Sequence, residues 1–100
     1  MVFANAAAFD AKPGMRDQLV AHLTKFSGTL QELGCLAYEV GVDDSRPDTV
    51  LVVELWEDAA AHRSSLSHPD VQASIEGARP LLAGAGDGFR FDSVGSPLRP

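Results

Sequence analysis

The sequence predicts an α+β fold, in which a four-stranded antiparallel sheet carries two helices on one of its faces. A chain of 100 residues is long enough for one domain with a small core. Apolar residues form four strand-like segments and recur at steps of three and four in two others. The order of these segments is strand, helix, strand, strand, helix, strand, which is the ferredoxin-like βαββαβ arrangement.

The first half of the chain is predicted to form a strand, a helix and a hairpin. Residues 2–11 are mostly apolar and lack helix caps, and Lys-Pro-Gly at 12–14 ends this first strand. One long amphipathic helix is indicated by apolar side chains at helical spacing, which are Met15, Leu19, Leu23, Phe26, Leu30 and Leu33. We expect it to end with Gly34 as its C′ residue. Residues 35–42 and 49–57 are then predicted to pair antiparallel around a polar loop.

The second half is predicted to form an interrupted helix and a last strand. Asp58 is suited to cap the helix, which should break near Pro69 and resume after it. We interpret residues 80–86 as a short helical turn and a loop. In the fourth strand, at residues 89–94, polar and apolar side chains alternate.

The third strand is apolar on both of its faces. Period-2 geometry separates Leu51, Val53 and Leu55 from Val50, Val52 and Trp56. Since two helices cover only one face of the sheet, we expect a second copy of the chain to cover the open face and form a homodimer. Glu54 and Trp56 share a face, and a buried carboxylate is costly without partners. We therefore expect this pair to lie on the face that opens into the dimer.

Composition and charge exclude several classes of partner. The formal charge is −6 and the pI is near 4.8, which argues against nucleic acid. Cys35 is the single cysteine, and no His and Cys cluster has metal-ligand spacing. Neither a signal peptide nor a membrane span is expected, and a reducing cytoplasm fits the composition. We expect one domain at 1–96 and a loose C-terminal tail at 97–100.

Four short motifs together resemble the antibiotic biosynthesis monooxygenase family. They are KPG at 12–14, GCLAYEV at 34–40, VELWED at 53–58, and Pro69 within the second helix. The resemblance implies a dimeric α+β barrel, with an apolar pocket between sheet and helices in each subunit. Some members oxygenate phenols, anthrones or hydroquinones with molecular oxygen and no cofactor, whereas relatives degrade haem or isomerise small phosphorylated sugars.

The resemblance assigns substrate binding to an aromatic pair. Trp56 corresponds to the strand Trp that lies at the substrate pocket of the oxygenating members, and Tyr38 occupies a family Tyr position. Each has a structural alternative, because a lone Trp often anchors a core or an interface and a strand Tyr is often half-buried. His68, which follows the second helix's first segment, is a further candidate for substrate binding or a solvent-facing residue.

Three polar residues are candidates for catalysis. His62 and Glu54 could each take a substrate proton, and Asn5 could stabilise an anionic intermediate. Alternatively, Glu54 is a structural acceptor and His62 faces solvent. The chain also departs from the family, because Ser65 and Asp70 stand where many members have histidines.

The resulting hypothesis is a cofactor-independent monooxygenase that acts on a small aromatic compound. No cofactor is expected, because haem-degrading relatives use an axial His where this chain has Ile75. The glycines at 84–88 do not form a dinucleotide fingerprint. Two alternatives stay open: a non-catalytic small-molecule binder or pathway accessory protein, and a cofactor-free isomerase or cyclase.

Overall fold

The computed structural model describes residues 1–100, apart from the side chain of residue 85. The strands are β1 (Phe3–Ala11), β2 (Cys35–Val42), β3 (Thr49–Trp56) and β4 (Leu82–Asp92). The helices are α1 (Arg16–Leu23), α2 (Thr29–Glu32), α3 (Ala59–Ser65) and α4 (Pro69–Ala78), and a 3-10 turn (Arg79–Leu81) precedes β4. All strand pairs are antiparallel in the order β2-β3-β1-β4. The predicted ferredoxin-like α+β fold is confirmed.

Local sequence signals set several of the element ends. The Asp58 carboxylate accepts a hydrogen bond of 2.7 Å from the Ala61 amide and caps α3, as predicted. Gly34 has a φ of 103°, a conformation that favours glycine, and it separates α2 from β2. Pro69 is the first residue of α4, which accounts for the predicted break in the second helix.

The prediction of one long first helix is wrong. α1 ends at Leu23, and the Phe26 side chain is 95% exposed in the loop before α2. The Thr24 hydroxyl donates to the Val20 carbonyl at 2.8 Å, and the Ser27 hydroxyl accepts from the Thr29 amide at 3.3 Å. Hydroxyl side chains compete with the helix for backbone partners in this way, and glycine at position 28 weakens the helix further.

The start of the last strand is also corrected. β4 runs from Leu82 to Asp92. The glycine-rich segment that was predicted as a loop is therefore part of the sheet. Glycine weakens a strand locally, but pairing with β1 holds this one. A Cβ at Gly88 would lie 2.6 Å from the Ala6 carbonyl oxygen, so the close approach of the two backbones requires glycine there.

The face expected for Glu54 and Trp56 is corrected as well. Val50 packs in the core with Leu19 of α1 and Ala78 of α4. Glu54 and Trp56 follow Val50 at even spacing, so they lie on its face, beneath the helices. Because both faces of β3 are apolar, alternation could not tell which of them the helices cover.

The opposite sheet face exposes several large apolar side chains. Cross-strand pairs place Ala6 of β1 between Phe89 and Val53, and place Phe91 beside Ala4. The two phenylalanine rings stack with centroids 6.2 Å apart, and Phe89 is 67% exposed. We call this surface the open face.

Candidate functional site

A row of polar residues crosses the helix-covered face of the sheet. Tyr38 lies opposite Glu54, Glu54 lies opposite Asn5, and Asn5 lies opposite Arg90. Side chains at directly opposite positions share a face and lie close together. Four strands thus contribute one residue each to what we call the polar row.

The centre of the polar row is a fixed carboxylate. The Asn5 side-chain amide donates to Oε2 of Glu54 at 2.8 Å, and the Trp56 indole N–H donates to Oε1 at 3.0 Å. Trp56 is only 1% exposed, so its N–H requires an acceptor inside the protein. The two donors compensate the burial of the carboxylate and hold it in one orientation.

Tyr38 contributes a neutral hydroxyl next to this carboxylate. Burial, and then the charges of Glu54 and Cys35, raise the pKa of Tyr38 to about 12. The phenol therefore keeps its proton at neutral pH and can donate a hydrogen bond. Within the described part of the chain, its hydroxyl has no hydrogen-bond partner, so it is available to a ligand.

His62 lies among aromatic rings at the end of the sheet. It is 8% exposed, and its ring centroid lies 5.3 Å from that of Phe3 and 5.5 Å from that of Trp56, edge-on to the indole. α3, capped by Asp58, places it there. The imidazole is thus held against the indole that binds Glu54, although no described hydrogen bond joins His62 to the carboxylate.

A cavity of about 530 Å³ opens between α2 and β2. Its lining residues are Ser27, Leu30, Gln31, Cys35, Leu36, Ala37, Tyr38 and Glu57. The cavity is an open depression, with a wide mouth toward solvent. Burial and the Glu54 charge raise the pKa of the Cys35 thiol, which keeps it protonated. Of the six predicted site residues, Tyr38 is the one that lines this cavity.

His68 performs a structural task at the start of α4. Its Nδ1 accepts a hydrogen bond of 3.1 Å from the Asp70 amide, which makes it the N-cap of that helix. It does not line the cavity. A role for His68 in substrate binding stays a prediction.

Sequence reasoning missed several residues of the site. Gln31 and Ser27 were missed because a continuous first helix was predicted there. Glu57 was noted only as a residue of the VELWED motif and was given no role. Arg90 joins the polar row through its register with Asn5. Its alternation with two phenylalanines was visible in the sequence, but register with another strand was not.

Two other kinds of site are absent from the described residues. No three His, Cys, Asp or Glu side chains are grouped so that they could hold a metal ion. No helix is both long and apolar enough to cross a membrane.

Comparison with known proteins decides the family. The model of the antibiotic biosynthesis monooxygenase family matches residues 2–77, from β1 to α4. The chain belongs to this family. The match includes Asn5, Tyr38, Glu54, Trp56 and His62, whereas β4 with Arg90 lies outside it.

Solved structures of similar proteins agree with the antibiotic biosynthesis monooxygenase assignment. A protein from Chloroflexus aurantiacus, described as a candidate antibiotic biosynthesis monooxygenase, is 33% identical, with 96% of each chain covered and a TM-score of 0.85. A protein from Shewanella oneidensis is 26% identical, with 90% of each chain covered and a TM-score of 0.76. A Deinococcus radiodurans protein at 23% identity shares the fold, with a TM-score of 0.73 and coverage of 96% of this chain and 95% of its own. No curated protein matches the chain.

Proposed function

We propose that this protein is a cofactor-independent monooxygenase that oxidises a small phenolic, hydroquinone-like or anthrone-like compound with molecular oxygen. The observation that carries the proposal is the Glu54 carboxylate, which Asn5 and Trp56 hold beside the cavity residue Tyr38. Family membership supports oxygenation as the class of reaction. The substrate class is our inference from the family, and the apolar residues Leu30, Leu36 and Ala37 of the cavity lining are compatible with it.

The proposed reaction needs no external reductant. A base, Glu54 or His62, removes a proton from the substrate, and the resulting anion transfers one electron to oxygen. The two radicals combine to form a C–O bond, and protonation gives a hydroperoxide. Loss of water then breaks the O–O bond and leaves a carbonyl group. For a CH₂ centre the balance is CH₂ plus O₂ to C=O plus H₂O, so the substrate supplies all the electrons.

Each polar side chain of the site has a separate proposed role, which follows from its position. The Tyr38 hydroxyl donates a hydrogen bond to the substrate oxygen and stabilises negative charge that develops there. Trp56, which is buried, positions Glu54 instead of stacking on the ligand. Asn5 fixes the other carboxylate oxygen from β1. In this proposal the three side chains together orient the substrate and the carboxylate toward each other.

We also propose a homodimer through the open face. The stacked Phe89 and Phe91 rings and the neighbouring Val53 form an exposed apolar patch, which a second copy of the same face would bury. The free thiol of Cys35 is compatible with a cytoplasmic location, which we propose as well.

Oxygen uptake tests the proposed reaction. Metal-free protein should consume oxygen with at least one compound from a panel of anthrones and naphthohydroquinones, and one atom of labelled O₂ should enter the product. Glu54→Gln and His62→Gln should each lower kcat if that residue is the base, whereas Glu39→Gln, an exposed change on the same sheet, should not. If folded protein consumes no oxygen with any compound of the panel, the proposal is rejected.

One feature favours a second candidate function, a small-molecule binder without turnover. Both Glu54 oxygens already accept hydrogen bonds, and neither Glu54 nor His62 lines the cavity. If the protein only binds its ligand, binding should quench the fluorescence of the single Trp, and the ligand should be released unchanged. Mass spectrometry of the ligand after incubation with the protein separates the two functions.

A further inference from the structure

The cavity that Tyr38 lines has a distinctive placement of charged side chains. Of the residues that line it, Glu57 is the one that carries a formal charge at neutral pH, and the others are apolar, amide, hydroxyl or thiol groups. No described Lys or Arg lines the cavity, although Lys25 lies on the neighbouring loop. Glu54, on the strand next to Tyr38, adds a second negative charge nearby.

Glu57 is held at the cavity by the backbone around it. Its amide donates to the Gly34 carbonyl at 2.9 Å, which joins the end of β3 to the start of β2. A Cβ at Gly34 would lie 3.1 Å from Oε2 of Glu57 and 3.3 Å from the Ala61 side chain. Glycine at this position therefore leaves the room that the Glu57 carboxylate occupies.

Two polar side chains of the cavity, Tyr38 and the solvent-exposed Glu57, have no partner among the described residues. Within the described part of the chain, the Glu57 carboxylate has neither a hydrogen bond nor an ion pair, and the Tyr38 hydroxyl has no partner. Glu57 is an acceptor, whereas Tyr38, whose pKa is raised to about 12, is a donor at neutral pH. Leu30, Leu36 and Ala37 provide apolar surface in the same cavity.

We infer that Glu57 is a specificity-determining residue, which makes the cavity select an uncharged hydroxylated aromatic compound and reject its carboxylated analogues. A ligand hydroxyl donates to Glu57, and a carbonyl or phenolic oxygen accepts from Tyr38. A ligand carboxylate is repelled by Glu57 and Glu54, and no Lys or Arg is among the described residues that line the cavity. This inference rests on the proposed function for the identity of the site and adds the charge class of the substrate.

Binding of two matched probes tests the inference without any turnover. The probes are a naphthalenediol and a hydroxynaphthoate of similar size, and their Kd values are measured by NMR titration under nitrogen. The wild-type protein should bind the diol at least about threefold more tightly, because the exposed Glu57 carboxylate repels the carboxylate of the other probe. Glu57→Gln should reduce this preference, and Glu57→Lys should invert it. Glu32→Gln, a matched loss of charge at an exposed position outside the lining, should leave it unchanged.

Three binding results would overturn the inference. Equal ratios of the two Kd values in wild type and Glu57→Gln would show that Glu57 does not select, and so would tighter binding of the hydroxynaphthoate to wild type. If neither probe binds at millimolar concentration, the cavity is not a binding site for compounds of this class. Thermal unfolding of each variant confirms that it is folded. Charge selection without oxygen uptake would reject the oxygenase proposal alone, whereas oxygen uptake without charge selection would reject only this inference.

Discussion

Replacing Glu54 by Gln tests how the charge of Glu54 affects the pKa of Tyr38 in the polar row. The change removes the charge but keeps the size of the side chain. The new amide can still accept from the Trp56 indole, and the Asn5 amide can turn its oxygen toward the new N–H group. We therefore expect the variant to fold and to keep the contacts of the row, while Tyr38 loses a neighbouring negative charge.

The size of the effect follows from the position of Glu54 opposite Tyr38. Two charges about 6 Å apart interact by roughly 0.7 to 3 kcal/mol when the effective dielectric constant lies between about 80 and 20. Burial, however, is the larger cause of the raised pKa of Tyr38, which is about 12 against an ordinary value of 10.0. The charge of Glu54 therefore accounts for less than half of the difference, and Glu54→Gln should lower the pKa by about 0.5 to 1 pH unit.

Ultraviolet titration measures this pKa directly, because the chain contains a single tyrosine. Tyrosinate absorbance should rise with a midpoint near pH 12 in the wild type and at a lower pH in Glu54→Gln. Glu39→Gln is the matched control, since Glu39 is exposed and follows Tyr38 on the opposite face of β2. A wild-type midpoint at the ordinary value, or equal shifts in the two variants, would refute the reasoning.

The same pKa gives a dependence of stability on pH. The folded protein holds the Tyr38 proton more tightly than the unfolded chain does, so this contribution is fully present below pH 10.0 and is lost as the pH rises toward about 12. The loss should be about 3 kcal/mol at most. Urea unfolding of wild type and Tyr38→Phe over this range measures it, and Tyr38→Phe should show the smaller decline.

Three further changes test the fold and the assembly. Gly77→Ala should change the free energy of unfolding by less than about 1 kcal/mol, because the gain in helix propensity offsets the loss of the hydrogen bond between the His22 ring, which the new Cβ displaces, and the Ser74 carbonyl. In a His22→Ala background the same change should be stabilising by roughly 1 kcal/mol. His68→Ala should cost about 0.5 to 2 kcal/mol in urea unfolding through loss of the α4 cap, and His68→Asp should restore it. Phe89→Asp should convert the proposed dimer to a monomer by light scattering; an unchanged mass would contradict the open-face interface.

Much of the fold could be predicted because its signals are local. The Asp58 cap, the turn at Gly34 and the break at Pro69 each act within a few residues, and the structure has all three. The glycine-rich start of β4 could not be predicted in this way. Its strand conformation comes from pairing with β1, which is distant in sequence and whose carbonyl at Ala6 approaches Gly88 closely.

The candidate site was predictable only in part. The sequence analysis named Asn5, Glu54 and Trp56 as separate candidate site residues, and the structure joins these three by hydrogen bonds. Their partners within the cluster were not visible, because cross-strand register brings together residues that are far apart in the chain. Arg90 entered the row for the same reason.

The sequence by itself determined the order of the strands and helical segments, the cap at Asp58, the break at Pro69 and the family of this protein. These signals are local, because they depend on periodicity, capping and short motifs. Only the tertiary structure decided which face of β3 the helices cover, and so turned Glu54 and Trp56 inward. It also placed Glu57 beside Tyr38 in one cavity. A strand that is apolar on both faces is compatible with either orientation, and packing between distant segments selects one of them.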